Sequence, residues 1–121
     1  MRVRANNESA NLRGFVIGLF CLVAAGAAVA DLMVTNAAGV RAGITGIFYR
    51  QAENEIAVRY AVSDPTGTNT TTFVIQRSSD LSSWVDASAT VNVVGSISAG
   101  EFSEFATNST QFYRMRLINF Q

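Results

Sequence analysis

Residues 14–30, GFVIGLFCLVAAGAAVA, run for seventeen positions without one charge, and from Gly43 onward the apolar residues instead recur at every second position. The first pattern reads as a helix for export or a membrane, the second as half-buried strands. Seventeen helical residues span about 25 Å, a little short of a hydrocarbon core of roughly 30 Å. The run is therefore long for a signal-peptide core and short for a membrane span. Arg2, Arg4 and Arg13 precede it, and Ala28-Val29-Ala30 closes it with the small-x-small pattern that signal peptidase reads. These signals predict a signal peptide or retained apolar helix over residues 1–30. A linker over 31–42 follows, with Asn36-Ala37-Ala38-Gly39 as linker or helix stop, and then a β-sandwich over 43–121.

Within the second part, Ile56, Val58, Tyr60 and Val62 alternate with Ala57, Arg59 and Ala61, and Tyr113, Met115 and Leu117 alternate with Arg114 and Arg116. Each set gives a strand one apolar face and one solvated face. Further strands are expected at 44–49, 73–77, 89–94 and 102–106. Turns are expected at 51–54 and at Asp64-Pro65-Thr66-Gly67, where proline presets φ and glycine admits a positive φ. Short strands with turn signals every eight to twelve residues argue for an all-β sandwich.

The chain has no histidine and no lysine. The commonest general base and commonest transition-metal ligand are thus missing, and Ser–His and Cys–His nucleophile pairs are impossible. No catalytic, cofactor or metal residues are assigned; Glu101 with Glu104, or Asp80 with Asp86, read as solvated surface charge rather than calcium ligands. Residues 1–30 hold three arginines against Glu8, net +2, and residues 31–121 hold six arginines against eight acids, net −2. Arginines scattered among acids exclude a nucleic-acid footprint. The one cysteine, Cys21, lies inside the apolar run behind Gly18 and Phe20, which do not fit a lipidation signal, so a chain cut after Ala30 is cysteine-free.

Two stretches, FVIQRSSDLSSW over residues 73–84 and FYRMR over residues 112–116, resemble the small fibronectin type III-like modules of secreted bacterial proteins. The resemblance covers roughly residues 42–119 and implies a β-sandwich fold and a secreted context, with no chemistry. In the residues' own terms, Asp80 caps a corner, Leu81 and Trp84 fold back over the sheet edge, and Tyr113 packs between the sheets. The start of the apolar run is similar to a type IV prepilin cleavage site, with Gly14 before Phe15, although the glutamate usual at the fifth mature position is Leu19 here.

The function expected is a non-enzymatic exported structural or interaction module at the cell surface, with unpaired edge strands open to lateral association. One alternative is a membrane-anchored or pilin-like filament subunit that packs with copies of itself, or lies in the membrane, through Gly14, Gly18, Ala24, Ala25, Gly26 and Ala28. Another is a carbohydrate-binding module using Trp84 and a row drawn from Phe48, Tyr49, Phe102 and Phe105.

Overall fold

The computed structural model describes residues 32–107 and 111–121, together with the backbone of 16–17 and 27–28. Ten strands follow in chain order: β1 (Val16–Ile17), β2 (Ala27–Ala28), β3 (Leu32–Thr35), β4 (Arg41–Arg50), β5 (Glu55–Ser63), β6 (Thr70–Ser78), β7 (Val85–Asp86), β8 (Val91–Val94), β9 (Ile97–Phe105) and β10 (Phe112–Asn119). They form two antiparallel sheets. One runs β1-β10-β6, with β7 and β8 end to end along the far edge of β6; the other runs β4-β5-β9, with β2 and β3 end to end along β4. The sheets face each other as a sandwich.

Alternation fills the space between them. Ile56, Val58, Tyr60 and Val62 of β5 meet Phe73 and Ile75 of β6 and Tyr113, Met115 and Leu117 of β10, and all are buried. Burying one face of a strand fixes its register, because a slip of one residue would turn the apolar set outward. Strand β4 keeps its apolar residues inside only by breaking step. Its register with β5 shifts between Ile44 and Gly46, so Ile44 and Ile47, three positions apart, are both buried. One extra residue in a strand is a β-bulge, and here it carries the core face across a change of parity.

The turns form where polar side chains replace missing backbone partners. Asn36 Oδ1 accepts the amides of Ala38 at 2.9 Å and Val40 at 3.0 Å, and Gly39 takes φ +83°, closing a β3–β4 hairpin. The Asn36–Gly39 signal, read from sequence as a linker or helix stop, is therefore a hairpin turn. Asn54, at φ +51°, closes the β4–β5 hairpin and ties it to β9 through a bond between Ala106 N and Asn54 O of 2.9 Å.

The expected N-terminal transmembrane helix is not found. No helix occurs among the described residues, and none is long and apolar enough to cross a membrane. Where the apolar run is described, its backbone pairs as strand, Val16–Ile17 with β10 and Ala27–Ala28 with β4. The physical reason is that an apolar run without polar punctuation does not distinguish helix from buried strand, and a sheet edge supplies backbone partners that a lone helix does not need. Gly14, Gly18, Ala24, Ala25 and Gly26, expected as a helix-packing surface, lie outside the described residues. Ala28 is in β2.

Candidate functional site

The loop from β6 to β7 is built around Ser78 and Asp80. Ser78 Oγ donates to Asp80 Oδ1 at 2.9 Å and accepts the amides of Asp80 and Leu81, while Asp80 Oδ1 also accepts the amides of Ser82 and Ser83, each at 2.9 Å. The Ser83 and Ser82 amides and the Ser78 hydroxyl stabilise the ionised carboxylate and hold the Asp80 pKa down at about 2. This tight corner places Leu81 at φ +67°. Leu81, expected to fold back over the sheet edge, is 47% exposed instead.

Trp84 does not enter the core. It is half-buried, with the Arg114 guanidinium 4.1 Å from its ring centroid, close enough for a cation–π contact. Arg114 Nε donates to Gln76 Oε1 at 2.8 Å, and Gln76 Nε2 donates to Asp86 Oδ1 at 2.9 Å. A polar chain from Trp84 to Asp86 thus crosses the outer face of the β10-β6-β7 sheet.

On the outer face of the other sheet, Glu101 of β9 bridges Arg50 at 2.7 Å and Arg59 at 3.3 Å. Register places Arg50 beside Glu55 and Glu101 beside Arg59, so the Arg50–Glu101 pair spans the β5 residue between them, Ala57. That explains why an outward-facing alanine is wholly buried. Phe48 lies over Gly46, where a Cβ would come within 2.9 Å of its ring, and carries Arg59 4.9 Å from its centroid. Of the four aromatics considered for a sugar-stacking row, Tyr49 and Phe102 pack against the core and Phe48 is half-buried. Phe105 alone is largely exposed, at 70%.

A third cluster joins the sheets. Tyr113 Oη donates to Glu104 Oε2 at 2.7 Å, Gln111 Nε2 donates to Tyr113 Oη at 2.8 Å, and Arg77 Nη1 meets Glu104 Oε1 at 2.7 Å. Glu104 belongs to β9 and its partners to the opposite sheet. Beside it, Arg77, Ser78, Ser79, Ser83, Val85 and Gln111 line a shallow pocket of about 220 Å³. Sequence reading placed Tyr113 between the sheets but missed its partners. The available signal was parity, since Glu104 stands two positions from Phe102 and so faces the same way, toward the core.

Asp64, at the β5–β6 turn, accepts the amides of Thr66 at 3.0 Å and Asn69 at 2.7 Å, the Thr66 hydroxyl, and the Asn69 side-chain amide. Burial raises its pKa, but the Asn69 and Thr66 donors outweigh burial and bring it to about 2. Because Asp64 and Asp80 titrate lower in the folded than in the unfolded chain, their stabilisation is present above the ordinary carboxyl value and lost as pH falls through the folded one. The melting temperature is expected to drop between about pH 4 and pH 2, and to drop less in Asp80→Asn, whose side chain has no proton to take up. Thermal melts across that range test this; parallel slopes for the two proteins would refute it.

Among the described residues no group of three or more acids or cysteines is placed to hold a metal ion. Among the described residues, Asp64 and Asp80 cap turns, Asp86 accepts from Gln76, and Glu55, Glu101 and Glu104 hold arginines. No family model, curated protein or solved structure matches this chain.

Proposed function

We propose that the chain is a non-enzymatic structural or interaction module that acts outside the cytoplasm, built on a fibronectin type III-like sandwich. The observation that carries this reading is the use to which its charged groups are put. Asp64 and Asp80 cap turns, Asp86 accepts from Gln76, and Glu55, Glu101 and Glu104 are paired with arginines. Catalysis by an acid or base needs a carboxyl group free to exchange its proton with a substrate, and carboxylates fixed by several donors are poor at that. Export is supported by the cationic residues 1–13 ahead of the apolar run and by the absence of cysteine after Cys21.

A C-terminally tagged chain produced in a bacterial host and followed by fractionation and intact mass tests the reading. It is expected outside the cytoplasm, in the periplasm, the medium or the surface fraction. Accumulation of the full chain as a cytoplasmic protein would overturn it.

A further inference from the structure

The one proline of this chain follows an aspartate, and the Asp64–Pro65 peptide is chemically the weakest link of the backbone. An aspartate carboxylate is placed to attack its own carbonyl carbon through a five-membered ring. A proline nitrogen, more basic than other amide nitrogens, is the better leaving group. The step balances as hydrolysis. One carboxylate oxygen bonds to the Asp64 carbonyl carbon, the bond from that carbon to the Pro65 nitrogen breaks, and the nitrogen takes a proton from acidic solvent. Water then opens the cyclic anhydride, leaving Asp64 as a C-terminus and Pro65 as a secondary amine.

The turn that carries this bond lies at the surface, with residues 65–68 exposed, yet Asp64 itself is 6% exposed and its carboxylate is fully engaged. Oδ1 accepts the Thr66 amide and hydroxyl, each at 3.0 Å, and the Asn69 side-chain amide at 3.1 Å; Oδ2 accepts the Asn69 backbone amide at 2.7 Å. Each donor draws charge from the oxygen that would attack, and an oxygen that closes the ring must give up a lone pair to carbon. Two donors act the other way. Gly67 N at 3.2 Å and Ser96 Oγ at 3.3 Å both reach the Asp64 carbonyl oxygen and polarise it as attack requires. The clamp on the carboxylate is therefore what withholds the reaction. The groups bonded to Asp64 are all neutral, and the charge that register brings alongside is Arg41, opposite Ser63.

We infer that Asp64–Pro65 is a latent self-cleavage site, silenced in the folded chain by the Thr66 and Asn69 donors, and that a chain cut there stays assembled. The second half follows from topology. The cut leaves β3, β4 and β5 on one piece and β6 to β10 on the other, but β9 of the second piece pairs with β5 of the first from Glu55 to Val62. The rings of Tyr60 and Phe73, one from each piece, meet edge-on at 5.0 Å in the core. The new C-terminus also stays gripped, because Thr66, Asn69 and Ser96 all lie beyond the cut, and Ser96 Oγ accepts the Asp64 amide at 2.8 Å. Acid together with opening of this turn thus converts one chain into a two-piece sandwich, wherever the chain acts.

The test incubates the full chain at about pH 4, where an unfolded aspartate is roughly half ionised, with and without concentrated guanidinium chloride, and follows intact mass for two pieces dividing after Asp64. The unfolded chain is expected to cleave at least about ten-fold faster than the folded one, because cleavage waits on opening of the turn. Asn69→Ala, with its β-sheet circular dichroism intact, should cleave faster than wild type without denaturant; Thr66→Val, which removes only the hydroxyl donor, should show a smaller gain and serves if Asn69→Ala does not fold. Equal rates for folded and unfolded chains overturn the inference, as does a folded clamp variant no faster than wild type. Asp64→Glu lengthens the side chain past the five-membered ring and should abolish the cut even in guanidinium; an unchanged rate there would refute attack by the carboxylate. Finally, the clamp variant nicked without denaturant should elute in size-exclusion chromatography at the volume of the intact chain, and separate elution of the two pieces overturns the assembled state.

Discussion

Gly100→Ala is expected to destabilise the sandwich by about 2–3 kcal/mol, at the upper end of what overpacking a core costs. A Cβ at position 100 would sit 2.1 Å from Tyr60 Cε1 and 2.5 Å from its Cζ. Tyr60 and Gly100 are cross-strand neighbours, so the ring lies flat across the glycine. It cannot simply swing away, because its other contacts include the Phe73 ring of the opposite sheet, edge-on at 5.0 Å and 72°. A shift of either ring would open space between the sheets. In thermal melts the variant should lose roughly 10 °C. Tyr60→Leu removes the ring and its own packing, yet in that background Gly100→Ala should cost far less, because nothing then occupies the space above the new methyl. Additive losses in the double variant would show that the Tyr60–Gly100 contact is not the cause.

That pairing also marks where the sequence was readable and where it was not. The strands at 56–62 and 112–118 were legible because their large apolar residues alternate toward one core face, and those at 44–49 and 73–77 because short runs rich in β-branched and aromatic residues read as strands even where burial does not alternate. The turn at residues 64–67 was legible because Pro65 and Gly67 constrain it locally. The start of β9, Ile97 to Gly100, carries Ser98, Ala99 and Gly100, which have no preference for a strand. It pairs as a strand where Tyr60 needs a residue without a side chain opposite it, a demand set forty positions away. Strand β7 is too short to have a period at all. The apolar run was ambiguous for a related cause: continuous hydrophobicity says that a segment is shielded from water, and only the partner decides whether helix or strand does the shielding.

The polar clusters show the same division. Asp80 was legible as a cap because its donors are its own neighbours in sequence. The Arg77–Glu104–Gln111–Tyr113 cluster was not, because its members meet only once β9 faces β6 and β10. Trp84 was legible as a corner residue but its arginine cover was not, since an indole half-covered by arginine and one buried among aliphatics look the same in one sequence.

Removing the inter-sheet carboxylate should have the other large effect. Glu104→Ala leaves the Tyr113 hydroxyl without its acceptor inside the core and Arg77 without its counter-charge, at an expected cost of about 2–4 kcal/mol. Tyr113→Phe removes the hydroxyl but keeps the Arg77–Glu104 pair, so about 1–2 kcal/mol is expected. The double variant should fall short of the sum, because the two substitutions break the same hydrogen bond. Urea unfolding midpoints give all three values; a Glu104→Ala loss within about 0.5 kcal/mol would mean that the cluster does not hold the sheets together. The cluster has an alkaline signature as well. Burial first, and then the bond and charge of Glu104, push the Tyr113 hydroxyl above the usual tyrosine value. The fold thus favours the neutral phenol, a stabilisation present below the unfolded value near pH 10 and lost as pH rises beyond it. Ionisation of Tyr113 followed by ultraviolet absorbance should therefore coincide with unfolding in the wild-type chain. In Glu104→Ala both should move to lower pH together, since the variant starts with less stability to lose.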